Sequence, residues 1–310
     1  MILGYHQVVD DIIRAEDEAI FGMVISKETF RRQMELLRER YEVLSLAQAA
    51  AVLNGEAATE GPAVVITFDD GYRDTYENAW PILRELGLPA TVFVSTAYVN
   101  TKQWLDHDLL YWFVCRAKMR GLSLRLPLIK AGLNLHEAAL IATEVDTLRL
   151  CDRLVYQPLA RRQAIIQQLG DFLGEPSKAQ SGRCALLTWA MIREMAESGI
   201  AFGAHTERHP ILTLEDAATV ESEIVRNQLE LAELLGQPVK HFAYPNGQYN
   251  RAVKEIVQRC GFELAVTTAR RVNRVGDDLL TLGRLCLCEE STRGLTGQYS
   301  ETVARLRLAV

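Results

Sequence analysis

Three short segments of this 310-residue chain combine residue types and spacings that could do chemistry. The first is Thr67-Phe68-Asp69-Asp70-Gly71. Two adjacent carboxylates repel each other unless a cation, a proton or hydrogen-bond donors compensate. At a strand end the two side chains can be aimed differently, so that one binds a metal while its neighbour faces a substrate. The same residues also read as a turn, because Asp-Gly is a common turn pair. The second segment is His205-Thr206-Glu207-Arg208-His209-Pro210. Histidines four residues apart can converge on one metal ion if the segment makes a helical turn, although such a pair also arises by accident. A carboxylate from another strand end, with Asp70 the natural candidate, would complete a two-histidine, one-carboxylate site with open coordination positions. The third, Phe242-Ala243-Tyr244-Pro245-Asn246-Gly247, brackets a turn with proline and glycine. Such a turn can hold backbone N–H groups toward a cleft, where they suit an oxyanion; in isolation it reads as an ordinary loop.

Chemistry at these positions requires elements that bring them together. Short apolar runs predict strands at Ile2–His6, Ala63–Phe68, Ala90–Ser95, Ile200–Ala204, His241–Tyr244, Glu263–Thr267 and Thr281–Cys288. Several are almost continuously apolar, as strands buried on both faces should be. Helices fit between them. Ser26 can cap one whose apolar face is Phe30, Met34 and Leu37, and Ser45 another that ends at Asn54-Gly55. Further helices are predicted at Asp74–Leu86, Trp189–Ser198, Glu215–Leu235, Arg251–Cys260 and Thr302–Leu308. Alternating strands and helices favour a parallel α/β architecture. Seven strands suit a distorted (β/α)7 barrel, and an open doubly wound sheet fits the same pattern. All three segments fall just past the C-terminal end of a predicted strand, where active sites of parallel α/β folds gather. Residues 100–187 break the rhythm with helical stretches (Asp106–Met119, Leu135–Leu150, Ala160–Leu173) and no clear strand, so a single domain with a helical insertion is expected.

Composition narrows the field. With 48% hydrophobic and 24% charged residues the chain has a globular make-up, and a net charge of −6 argues against a nucleic-acid partner. No apolar run is long enough for a transmembrane segment. Met1 to His6 lack the pattern of a secretory leader, so a cytoplasmic location is expected, with attachment to the inner face of the membrane left open. The six cysteines lack CxxC spacing and read as free thiols in a reducing compartment. Nothing in the sequence indicates an oligomeric state.

Taken together, the segments resemble the polysaccharide deacetylase family, carbohydrate esterase family 4, whose fold is a distorted (β/α) barrel. The family's T-F-D-D-G motif is matched in full at Thr67–Gly71, and its histidine motif by His205-Thr206 and His209. Its third motif is matched in part at Phe242–Gly247. The resemblance implies that Asp70, His205 and His209 hold a divalent metal, usually zinc. It also implies that Asp69 is the general base, and that Tyr244, Pro245 and Asn246 help bind the substrate and its oxyanion. Metal coordination can lower the pKa of water from about 15.7 to near 7, so a carboxylate is a sufficient base.

Two features depart from the family. The arginine that steadies the base aligns with Ala243, and the C-terminal histidine that protonates the leaving amine has no counterpart, since no histidine follows His241. The amine of an amide leaves poorly without a proton. His6, in Tyr5-His6 at the end of the first strand, is the best substitute, as in the permuted branch acting on poly-N-acetylglucosamine-type polymers; a packing role at a strand end is its alternative. Arg284, on the last strand, is the candidate to replace the missing arginine beside Asp69. His107, His136 and His241 are expected at the surface or in packing. Trp104, Tyr111, Trp112 and Phe113 could wall a sugar site, but their helical spacing favours a core. The function expected is removal of N-acetyl groups from a glycan or glycan precursor. An amidohydrolase of small amides or imides, and a non-catalytic carbohydrate-binding relative, are the competing readings. A cytoplasmic location would make a lipid-linked or soluble precursor the substrate.

Overall fold

The computed structural model describes residues 1–10, 12, 19–20, 22–176 and 184–308. Its frame is an all-parallel curled sheet built from β1 (Ile2–Tyr5), β4 (Glu42–Leu44), β5 (Ala63–Phe68), β6 (Thr91–Val94), β7 (Ala201–Ala204), β8 (His241–Ala243), β9 (Leu264–Val266) and β10 (Leu285–Cys286). The order is β10-β1-β5-β6-β7-β8-β9, with β4 paired to the first half of β5. The last strand turns this ribbon into a barrel. Leu282 bridges Val266 on β9, while Leu285 pairs with Leu3 on β1, so one segment joins both ends of the sheet. A distorted barrel, not an open doubly wound sheet, is therefore the architecture.

Alternation along each strand decides what faces where. On β5, Val64, Ile66 and Phe68 pack outward into the main core beneath the helices. Val65 points inward with Ile2, Phe93, Ala243, Leu264, Val266 and Leu282 to fill the barrel. The same parity turns Thr67 inward, where its hydroxyl donates to the Leu3 carbonyl at 2.7 Å, and it continues to Asp69.

The helices form largely where expected. Ser26 caps Lys27–Arg40 by accepting from the Thr29 N–H, and Ser45 forms a capping box with Gln48 at the start of Leu46–Leu53. Asp216 caps the helix Ala217–Leu235, which stops at left-handed Gly236. Within the segment expected at Asp74–Leu86, Thr75–Ala79 form a wide turn, and the regular α-helix runs over Trp80–Leu86. Pro81 has no N–H for the regular ladder, which accounts for the local widening. Two short strands, Gln7–Val9 (β2) and Val24–Ser26 (β3), pair in a separate ribbon that the sequence pattern did not announce. The strand expected at Thr281–Cys288 forms a ladder only at Leu285–Cys286.

Between β6 and β7 lies the helical insertion: Asp106–Met119, Arg125–Lys130, Leu135–Ala142, Thr147–Val155 and Leu159–Leu173. The helix expected at Leu135–Leu150 is two helices, because Asp146 caps a new one by accepting from the Arg149 N–H. Part of the expected insertion, residues 177–183, lies outside the described residues. The insertion has its own core, in which Trp104, Tyr111, Trp112 and Phe113 are buried, so the core reading of these aromatics holds. None of the six cysteines forms a disulfide. Among the described residues, no helix is long and apolar enough to cross a membrane.

Candidate active site

Asp69 and Asp70 leave the end of β5 in different directions for a local reason. Asp70 adopts a left-handed backbone conformation (φ 73°), which turns its side chain away from that of Asp69. Among the described residues, five non-glycine positions have positive φ, and four of them are Asp70, Thr206, His209 and Asn246. Backbone strain of this kind costs on the order of 1–3 kcal/mol per residue and persists only where surrounding contacts enforce it. Here it is concentrated in the three segments that suggested chemistry.

Asp69 points into the barrel and meets Arg284. The guanidinium donates to both carboxylate oxygens, at 2.7 and 2.6 Å, to Thr67 Oγ1 at 3.1 Å, and through Nε to the Thr267 carbonyl at 2.9 Å. Both side chains are buried. Burial alone would raise the Asp69 pKa, but the charge and paired hydrogen bonds of Arg284 outweigh it and hold the carboxyl below its usual range.

Asp70 faces the histidines. Its Oδ1 lies 3.5 Å from His205 Nε2 and 3.4 Å from His209 Nε2, and the three ligand atoms fall within 4.8 Å of one another. The two histidines do not converge through a helical turn, as the spacing suggested. The segment is a loop in which Thr206 (φ 67°) and His209 (φ 54°) are left-handed, and Thr206 Oγ1 accepts from the His209 N–H at 3.1 Å.

Supporting contacts fix the His205 ring and the loop that carries His209. His205 Nδ1 donates to the Ala243 carbonyl at 2.7 Å, which places the proton on Nδ1 and leaves Nε2 free to ligate. Buried Asn227 accepts from the His205 N–H and donates to Val94 and Thr96, tying the loop to β6. Arg162, in the insertion, donates to the His209 carbonyl at 2.9 Å while paired with Asp106 at 2.7 Å.

Whether these residues fit a cation can be judged from Asp70 itself. Its Oδ1 is buried with no hydrogen-bond partner, an arrangement that is costly unless something positive approaches it. Burial would push the Asp70 pKa up, but the surrounding histidine edges, His205 first, hold it well below the carboxylate range. One carboxylate oxygen and two imidazole nitrogens form a donor set suited to a divalent first-row metal with positions left open.

The cavity over this cluster has a volume of about 280 Å³ and contains His6, Asp69, Asp70, His107, His205, His209 and Asn246. His6 stands beside Asp69 by register: Tyr5 pairs with Phe68, and the Asp69 N–H donates to the Tyr5 carbonyl at 2.9 Å. Burial lowers the His6 pKa, opposed by the charges of Asp70 and Asp69. Asn246 (φ 53°) reaches the cavity, and Gly247 beside it must be glycine. A Cβ there would lie 2.2 Å from Thr268 Oγ1 and 2.4 Å from its backbone nitrogen. Tyr244 and Pro245 do not line the cavity. Tyr244 is fully buried, donates to the Leu280 carbonyl at 3.0 Å and stacks on Tyr249, contacts that hold the turn from behind.

His107 also departs from expectation. Instead of a surface or packing position, it occupies the cavity wall with its Nε2 3.8 Å from Asp70 Oδ2. Sequence pattern could not reveal this, because His107 sits on an insertion helix far from any strand end. Its Nε2 is 2.9 Å from the Tyr72 hydroxyl, which donates to Asp108 Oδ2 at 2.8 Å. Leu148, Cys151, Asp152 and Val155, one face of the helix Thr147–Val155, complete the wall.

Burial raises the Asp108 pKa to about 6. A carboxyl whose folded pKa lies above its unfolded value of about 3.9 loses stabilisation as pH rises from that value to about 6. Asp108→Asn keeps an acceptor for Tyr72 and removes the charge. The metal-stripped variant should therefore be more stable than wild type at pH 7–8, by up to about 3 kcal/mol, and equal to it near pH 4. Urea unfolding at the two pH values tests this; an equal difference at both would show that the charge is not the cause.

Comparison with known proteins agrees with this picture. Residues 56–265 match the family described as Polysaccharide deacetylase. A putative polysaccharide deacetylase of Bacillus subtilis (strain 168), YxkH, is 20% identical over 280 residues, covering 90% of this chain and 71% of that protein. The poly-beta-1,6-N-acetyl-D-glucosamine N-deacetylase of Escherichia coli (strain K12) is 33% identical over 100 residues, which span 32% of this chain and only 14% of that protein. Among solved structures, the Streptococcus pyogenes deacetylase PplD in complex with acetate superposes with a TM-score of 0.61 at 21% identity, covering 93% of this chain and 91% of PplD. That likeness concerns the fold.

Proposed function

Because this chain belongs to the polysaccharide deacetylase family, we propose that it hydrolyses the N-acetyl group of an N-acetylglucosamine-type glycan or glycan precursor. The observation that carries the reading is one cavity holding two differently treated carboxylates. Asp69 is clamped by Arg284, and Asp70 faces His205 and His209 with an unpartnered oxygen. Binding of a sugar alone would require neither. We assign Asp70, His205 and His209 as ligands of a divalent metal, with zinc the best match to the donor set. Such an ion, when bound, acidifies water and polarises a carbonyl oxygen.

The protein's own groups do the rest. Asp69, held ionised and oriented by Arg284, accepts the proton from the attacking water. The backbone N–H of Asn246 stabilises negative charge on the acetyl oxygen. His6 delivers a proton to the departing amine, completing hydrolysis to acetate and a free amino sugar.

His6→Ala separates these roles. Its loss should slow cleavage of the acetamide at least about tenfold more than cleavage of an aryl acetate, whose leaving group needs little protonation. Equal slowing of the two substrates would remove His6 from the acid's role.

A second reading, cleavage of a small amide or imide, is favoured by the modest cavity and its wall of Leu148, Cys151 and Val155. Acetate release from a panel of N-acetylated mono- and oligosaccharides, alongside small amides and with or without a chelator, separates the two. Saccharide turnover that stops with chelator and returns with zinc is expected; turnover of the small amides alone would replace the glycan reading.

A further inference from the structure

We propose that His107, carried by the helical insertion, is a positioning residue of the metal site that holds the outer oxygen of Asp70. The inference rests on the metal reading above and extends it to a part of the chain outside the barrel.

The two oxygens of Asp70 have different neighbours. Oδ1 lies 3.4–3.5 Å from the ligating edges of His205 and His209, whereas Oδ2 faces His107 Nε2 at 3.8 Å. Hydrogen-bond bookkeeping fixes which atom of His107 is presented. A tyrosine hydroxyl has one proton to give, and that of Tyr72 goes to Asp108 Oδ2 at 2.8 Å. The Tyr72 oxygen, 2.9 Å from His107 Nε2, is left to accept, so Nε2 carries a proton. An N–H edge is thus directed at Tyr72 with Asp70 Oδ2 beside it. At 3.8 Å the contact with Asp70 is electrostatic and not a full hydrogen bond. Its effect is to favour the rotamer of Asp70 that gives Oδ1 to the ligand cluster.

Position in the chain strengthens the argument. Tyr72 follows Asp70 by two residues, so Asp70, Tyr72 and His107 form a closed ring of backbone and side-chain contacts. The His107 ring also meets the His209 ring edge to face, with centroids 5.1 Å apart. The insertion grips the other ligand loop as well, through Arg162 to the His209 carbonyl. It therefore bears on both ligand-carrying segments, and His107 is the side chain through which it reaches Asp70. Partners of this outer kind orient metal ligands, and their loss weakens metal affinity by roughly 10–100-fold.

The test is zinc affinity by chelator competition, together with the Tm of the metal-free protein, for the full chain and its His107→Ala, His107→Gln, Tyr72→Phe and Asp70→Asn variants. His107→Ala should bind zinc about 10–100-fold more weakly with a metal-free Tm close to wild type, which a merely structural residue would not leave in place. His107→Gln, which restores an N–H near the same point, should recover part of the loss, and Tyr72→Phe should weaken binding several-fold. His107→Ala binding zinc as tightly as wild type overturns the proposal. If that variant does not fold, unchanged affinity in Tyr72→Phe overturns it equally. A wild-type protein that binds no zinc, or binds it no better than Asp70→Asn, would instead refute the metal reading on which the proposal rests.

Discussion

Replacing Asp69 with asparagine should lower kcat/KM for acetate release by about 10²–10⁴-fold, the usual contribution of a general base, while zinc affinity stays near wild type. The separation follows from geometry. Asp69 is turned into the barrel against Arg284, and its neighbour Asp70 faces the two histidines, so on the proposed assignment the substitution removes a proton acceptor without removing a ligand. Asparagine is close to isosteric and can still accept one hydrogen bond from Arg284. Steady-state kinetics and chelator competition on the same preparation give both quantities. Unchanged turnover in a variant that retains its metal would mean that the base is some other group.

Arg284→Met should have the largest effect on stability of any single change at the site. Breaking a buried ion pair by removing one partner costs about 3–5 kcal/mol, because the remaining charge is stranded. Asp69→Asn combined with Arg284→Met should therefore be less destabilised than Arg284→Met alone, and urea unfolding of the set measures the coupling. Activity should also change its pH dependence. With Arg284 present, the Asp69 pKa lies below its ordinary value. Its contribution to stability is then complete above about pH 4 and is lost only as pH falls through the depressed value. Without Arg284, burial dominates and pushes the carboxyl upward, so the acid limb of the rate profile should move to higher pH. A stability change within about 1 kcal/mol and an unmoved acid limb would show that the pair is incidental. Lysine is not expected to substitute, since it cannot make the two parallel hydrogen bonds that the guanidinium makes.

Much of this site was legible in the residues. Asp69-Asp70, His205 and His209 stand at the ends of apolar runs, and the strand period aims residues at a strand end in a countable way. The capping serines, the glycine stops and the alternation of strand with helix are local signals, which is why most of the barrel strands and most helices appear where expected, β4 excepted. Other features were misread for reasons just as physical. The spacing of His205 and His209 suggested a helical turn, but Thr206 and His209 are left-handed, a conformation that a β-branched threonine does not advertise. Tyr244 belongs to the third segment, yet strand parity places it in the main core beneath the helices and off the cavity wall. Pro81 was visible, yet the wide turn it imposes depends on the packing of the helix around it.

By itself, then, the sequence determined the candidate reacting groups, most of the strands that carry them and the barrel as one of two architectures, because these depend on residue type and short-range periodicity. The paired carboxylates stood out from the beginning for that reason. Only the tertiary structure decided what distinguishes the two. Arg284 lies 215 residues from Asp69 along the chain, and His107 lies on an insertion with no strand to aim it. Contacts across such separations come from barrel closure and from the insertion's own core, and no local spacing encodes them.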